Sequence, residues 1–149
     1  PTTGFANAYY VARRNLSADK QRPGTFALVY TTIQNDEYGH PLGGVWVTRD
    51  GGRSWSHMLR GVINSGSTDP KTVSGLGMDA RQFWQCQLEY VPGRPGELVY
   101  TPHSDKSSDR LFWSKDDGRS WAELGRGVRN VSAFAFGRGL PGEDRPALY

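Results

Sequence analysis

The chain reads as an all-β fold built from tandem four-stranded sheets, and three observations predict it. Short apolar runs rich in β-branched and aromatic residues alternate with Gly, Pro, Asn and Asp punctuation, without convincing helical periodicity. The segment Val45–Trp55 recurs 66 residues later as Leu111–Trp121, each copy being three apolar residues followed by Ser/Thr-x-Asp-x-Gly-Arg-Ser-Trp. Upstream of each copy stands a second match, Leu28-Val29-Tyr30-Thr31 against Leu98-Val99-Tyr100-Thr101. Two linked matches in the same order mark a duplicated unit.

Each unit resolves into four strands. The first unit, about residues 5–61, is expected to use Ala8–Arg14, Thr25–Ile33, Gly44–Arg49 and Ser54–Leu59. The second, about 83–125, uses Trp84–Val91, Glu97–Pro102, Arg110–Lys115 and Ser120–Leu124. A third opens within 131–149, with Val131–Gly137 and Pro146–Tyr149. Only Asp79–Phe83 reads as a helical turn. Four-stranded sheets repeated in tandem are the pattern of β-propeller blades. The expectation is a β-propeller fragment of about two four-stranded blades plus the start of a third. The chain starts at Pro1 and stops inside the apolar run Ala147-Leu148-Tyr149, which reads as a piece of a longer polypeptide.

Composition narrows the function. No apolar run approaches the ~20 residues of a membrane helix. Five Trp, six Phe and seven Tyr are too much apolar payload for a disordered tail. The net charge is +3, and the cations are scattered at positions such as Arg13, Arg49, Arg81, Arg110 and Arg138 rather than gathered into a stripe, so neither nucleic acid nor membrane is expected as a partner. A single Cys and three His make a structural zinc site unexpected, and no cofactor or metal is called for. Cys86 lacks a Cys–His signature and reads as a buried small apolar group.

The repeated turn has its own mechanics. Asp and Gly between two strands supply acceptors for turn amides and a permissive backbone, and the following Trp packs back over the turn. Thr48, Asp50, Gly52, Ser54 and Trp55, with Ser114, Asp116, Gly118, Ser120 and Trp121, are therefore read as structural, with Asp50 and Asp116 as hairpin clasps rather than catalysts.

Ser/Thr-x-Asp-x-Gly-x-Ser/Thr-Trp between the third and fourth strands of a blade resembles the Asp-box, or BNR repeat, of sialidases, sortilin-type receptors and the xyloglucan-cleaving glycoside hydrolases of family 74. Three stretches resemble the late blades of the last group: Ala8-Tyr9-Tyr10-Val11-Ala12-Arg13 with Ala18-Asp19-Lys20 and Gly24-Thr25-Phe26, then Val91–Leu98, then Phe134–Arg138 with Pro141-Gly142 and Pro146–Tyr149. The loop Gln34–Gly43 and the stretch Val62–Gln82 match no family pattern, and an Arg-Ile-Pro opening motif of sialidases is missing. The resemblance implies a xyloglucanase-like endo-β-1,4-glucanase, extracellular or periplasmic, acting on β-glucan or xyloglucan. It also implies that the catalytic Asp pair lies on blades outside this chain, so no catalytic residue is assigned here. A non-catalytic carbohydrate- or protein-binding propeller is the alternative, and a sialidase-like exo-hydrolase a weaker one.

Ligands are expected on the rim opposite the repeated turns. Phe83 and Trp84, ahead of the second unit's innermost strand, could stack on sugar rings, although packing between blades is the plainer role for aromatics there. Tyr38, His40, His103 and Asp105 occupy long loops of that same rim. A glycosidase needs two carboxyl groups ~5–5.5 Å apart to retain configuration, or ~6.5–9.5 Å apart to invert it. Spacing along the sequence does not supply that distance.

Overall fold

In a computed structural model of the chain, the described residues are 15–30, 36–39, 42–60, 86–101, 111–125, 127–128, 131 and 133–149. They form ten strands and, among the described residues, no helix. The first sheet contains β1 (Leu16–Ala18), β2 (Phe26–Tyr30), β3 (Gly44–Thr48) and β4 (Ser56–Arg60); the second contains β5 (Gln87–Tyr90), β6 (Leu98–Thr101), β7 (Leu111–Ser114) and β8 (Ala122–Leu124). Both run antiparallel in chain order, and β9 (Phe136–Gly137) pairs with β10 (Ala147–Leu148) in a third, two-stranded sheet. The architecture is that of a propeller-blade fragment whose sheets do not close into a ring.

Two expectations about the strands need correction. The first strand of the first sheet is Leu16–Ala18, whereas the expected Ala8–Arg14 lies outside the described residues. Its place is set by the turn after it, where Asp19 N–H donates to Thr25 O, Arg22 N–H to Asp19 O and Thr25 N–H to Arg22 O. The same three bonds recur as Val91 to Glu97, Arg94 to Val91 and Glu97 to Arg94. A shared Arg-Pro-Gly thus closes both turns, at Arg22-Pro23-Gly24 and Arg94-Pro95-Gly96. The second correction is to the upstream match. Phe26 pairs with Thr48 and Leu98 with Ser114, so the structural twin of Leu98 is Phe26 and not Leu28. The true offset in this strand is 72 residues, two more than the matching letters imply. A two-residue slide leaves every side chain on the same face, so the letters alone do not reveal it.

Two apolar layers hold the sheets together. Ala27, Val29, Val45, Val47 and Leu59 of the first sheet pack against Leu88, Tyr90, Leu98, Tyr100 and Phe112 of the second. The opposite face of the second sheet, with Val99, Leu111 and Trp113, meets Phe134, Phe136 and Leu148. The alternation within β2 and β3 follows from the period of two along a strand. A register shift between Val45 and Trp46 gives β4 one extra residue, Met58. Cys86 is buried just before β5, and desolvation pushes its thiol up to about 12, which suits an inert core position.

Candidate functional site

The two copies of the repeated turn agree bond for bond. Thr48 Oγ1 donates to Asp50 Oδ1 at 2.7 Å and accepts from Gly52 N–H at 3.0 Å. Asp50 then accepts from Ser54 N–H at 2.9 Å and from Ser54 Oγ at 2.6 Å. In the second copy Ser114 Oγ donates to Asp116 Oδ1 at 2.8 Å and accepts from Gly118 N–H at 2.7 Å. Asp116 accepts from Ser120 N–H at 2.9 Å and from Ser120 Oγ at 2.6 Å. The bonds from Ser54, helped by Thr48, bring the Asp50 carboxyl down to about 2. Burial pushes Asp116 up, yet the bonds from Ser120 and Ser114 together leave it below its usual value. Both carboxylates are therefore ionised and committed to their own turns. Replacing Asp116 with alanine is expected to cost about 1–2 kcal/mol by taking the acceptor from the buried Ser114 hydroxyl, read as a lower urea midpoint of the full chain.

The Trp residues that follow differ in their surroundings. Trp121 donates Nε1–H to Gly118 O at 2.9 Å and meets Tyr100 edge-on at 5.9 Å. Trp55 remains 37% exposed.

The turns ending β1 and β5 lie on the same rim as the repeated turns. Gly51 N–H donates to Gly24 O, and Asp117 N–H to Gly96 O, each at 2.9 Å. Between the sheets on this rim sits a cluster that the sequence reading missed. Asp117 accepts from Arg22 Nη1 at 3.0 Å, from Arg22 Nη2, from Arg49 Nη2 at 2.9 Å and from the Tyr90 hydroxyl at 3.2 Å. Arg22 is held in turn by Asp19 Oδ2 at 2.7 Å, and that same oxygen accepts from Gly96 N–H at 2.9 Å. Burial pushes Asp117 up, but the hydrogen bonds from Arg22 and Arg49, with their charges, outweigh it and hold the carboxyl at about 2 against its usual 3.8. Its counterpart Arg22 is raised, chiefly by the Asp117 bond. Tyr90 is raised by burial first and by the Asp117 charge second.

The sign of the pH effect follows. A carboxyl depressed in the fold stabilises above its ordinary value, and that contribution disappears as pH falls from 3.8 toward 2. Asp117 alone is worth on the order of 2 kcal/mol in this window. Urea midpoints measured between these pH values should fall steeply for the native chain and less steeply for Asp117→Asn.

A groove of about 290 Å³ runs between β1 and β5, lined among others by Ser17, Asp19, Lys20, Glu89 and Tyr90. Two of its polar groups are already engaged: Ser17 Oγ accepts from Tyr90 N–H at 2.9 Å, and Glu89 Oε1 accepts from Gln87 Nε2 at 2.8 Å. Of the expected sugar-facing residues, Tyr38 is described and 77% exposed, in a turn where Asp36 Oδ1 accepts its N–H at 2.9 Å. His40, Phe83, Trp84, His103 and Asp105 lie outside the described residues. Among the described residues, no group of three or more His, Cys, Asp or Glu is placed to hold a metal, and no helix is long and apolar enough to cross a membrane.

Comparison with known proteins gives a direction. Over 116 residues, 77% of this chain, it is 29% identical to a xyloglucanase from Paenibacillus sp.. The chain is a distant relative of that enzyme. It is also 31% identical over 72 residues, 47% of its length, to the photosystem II assembly lipoprotein Ycf48 of Picosynechococcus sp.. These matches span 10% of the xyloglucanase and 20% of the lipoprotein, so the chain covers only a small part of either relative. No family model matches the chain.

Proposed function

We propose that this chain is a segment of a secreted, xyloglucanase-like endo-β-1,4-glucanase, contributing propeller scaffold and cleft wall rather than the catalytic pair. The observation that carries this reading is the similarity to a xyloglucanase along 77% of the chain. The bond-for-bond repetition of the turns at Asp50 and Asp116 supports it, and we read them as Asp-boxes. The blades divide at about 5–61, 83–125 and 131–149. In this reading Tyr38, His40, Phe83, Trp84, His103 and Asp105 belong to the rim that meets the polysaccharide, without a metal or cofactor. The extracellular or periplasmic placement follows from the polymeric substrate.

The remaining blades of such a parent are the chain's first partner. The outward face of the first sheet carries Leu16, Phe26, Leu28 and Trp46. Leu16 is 59% exposed, while its twin Leu88 is fully buried beneath the first sheet. The contrast between these repeated positions supports another blade as the cover for that face.

A non-catalytic binding scaffold is the second reading, favoured by the similarity to the assembly lipoprotein. The deciding experiment measures reducing-end release from xyloglucan by the full-length gene product, with mixed-linkage β-glucan and a sialoside as comparison substrates. The 149-residue chain serves as the control. Release from xyloglucan by the full-length product and none by the chain is the expected result. A folded, full-length product inactive on all three would favour the scaffold, and release from the sialoside alone the exo-hydrolase.

A further inference from the structure

One carboxylate dominates the polar contact between the two four-stranded sheets, and its backbone gives no reason for it to be an aspartate. Asp117 is 4% exposed and has φ 59, the one non-glycine with positive φ among the described residues. Its twin in the first turn is Gly51, with φ 75 and no atom within 4 Å of where a Cβ would lie. Glycine adopts this conformation freely, whereas other residues do so at a cost. The compensation lies across the interface, where Arg22 and Arg49 of the first sheet converge on the two Asp117 oxygens.

We propose that the fourth residue of the repeated turn is a pairing key: Asp117 makes its face of the second sheet a docking surface selective for a sheet of the same repeat that presents two guanidinium groups. Apolar burial supplies area but no direction, whereas planar guanidinium forks on a carboxylate define a position. Arg22 comes from the turn after β1 and Arg49 from the end of β3, so the two grip one oxygen pair from different elements. Asp19 completes the balance at two cations and two anions, and its bond to Gly96 N–H ties the β1–β2 turn to the β5–β6 turn. The second sheet's own twins of Arg22 and Arg49 are a different pair: Arg94, which bonds Glu97 Oε1 at 3.1 Å, and Lys115, whose ammonium sits 4.4 Å from the Trp113 ring centroid. A turn with glycine in the fourth place, as at Gly51, has no carboxylate to offer an arginine pair.

The test uses amide hydrogen exchange in the full chain. Tyr90 N–H and Gly96 N–H are bonded across the interface, to Ser17 Oγ and Asp19 Oδ2. Ser54 N–H and Ser120 N–H are bonded within their own turns and serve as internal references. Asp117→Gly makes the second turn match the first at this position without backbone strain, and Asp117→Asn keeps the left-handed tolerance while removing the charge. Each should speed exchange at Tyr90 and Gly96 at least tenfold and leave Ser54 and Ser120 within about twofold. Arg49→Met should do the same, and adding it to Asp117→Gly should bring no further acceleration. The Arg49 side chain is only partly buried, so this single substitution keeps the test decisive if the Asp117 variants fail to fold. Equal acceleration at all four amides, additive effects of the two substitutions, or no change would each overturn the proposal.

Discussion

Gly118→Val is expected to cost about 2–5 kcal/mol, a large fraction of the stability of a chain this size. Two separate penalties meet at that residue. Its φ of +82 lies in the left-handed region, which costs an L side chain about 1–2 kcal/mol and a β-branched one no less. A Cβ there would also stand 3.3 Å from Trp121 Cζ2, 3.4 Å from Met58 Cβ and 3.7 Å from Leu98 Cδ1. Filling packed space of this kind costs a further ~1–3 kcal/mol. Gly52 supplies the control. It has φ +93, but its Cβ would meet only the Trp55 ring, at 3.9 and 4.0 Å. Gly52→Val should therefore show the backbone penalty alone, about 1–2 kcal/mol. Urea unfolding of the two variants measures the difference. Equal losses would mean that the first sheet does not press on the second turn through Met58.

Twin positions of unequal cost also explain what could be read in advance. The repeated turn was visible because its bonds are local: two hydroxyls, a carboxylate and one glycine within seven residues fix it in both copies. Strand existence followed from the same punctuation. Strand ends did not, because they depend on where the neighbouring strand stops pairing. Thus Ser54 and Ser120, read as strand residues, instead belong to the turns they help to bond.

The clasp at Asp117 was overlooked for a different reason. Its partners come from 68 and 95 residues away, beyond the reach of any local pattern. One signal was present in the letters: the second turn has Asp where the first has Gly, at a position that favours glycine. A second was the shared Arg-Pro-Gly, which would have given the correct offset and placed Arg22 beside the turn. The sugar-facing candidates fare differently. The segments around His40 and His103 carry residue types but no periodic constraint, so the sequence offers chemistry there without position.

Phe112→Ala is expected to cost about 3–5 kcal/mol, and its twin substitution Trp46→Ala only about 1–2 kcal/mol, although tryptophan is the larger side chain. Phe112 is 2% exposed, packed in the layer that joins the first two sheets. Removing its ring leaves a cavity between two sheets whose backbones are fixed by their ladders, so little collapse can follow. Trp46 occupies the same place in the first sheet but faces outward. Its ring stacks on His57, with centroids 4.1 Å apart and planes 13° apart, and its Nε1–H donates to Leu42 O at 2.9 Å. Trp46 is only partly buried, so part of what tryptophan can gain by burial is not realised there, and its truncation opens no closed cavity. In a longer polypeptide where another sheet lies on that face, the Trp46 cost should rise toward the Phe112 value. Urea midpoints of both variants, in the 149-residue chain and in the full-length product, test this directly. Equal losses already in the shorter chain would mean that the outward face of the first sheet has a cover of its own. The argument for a preceding blade would then fall.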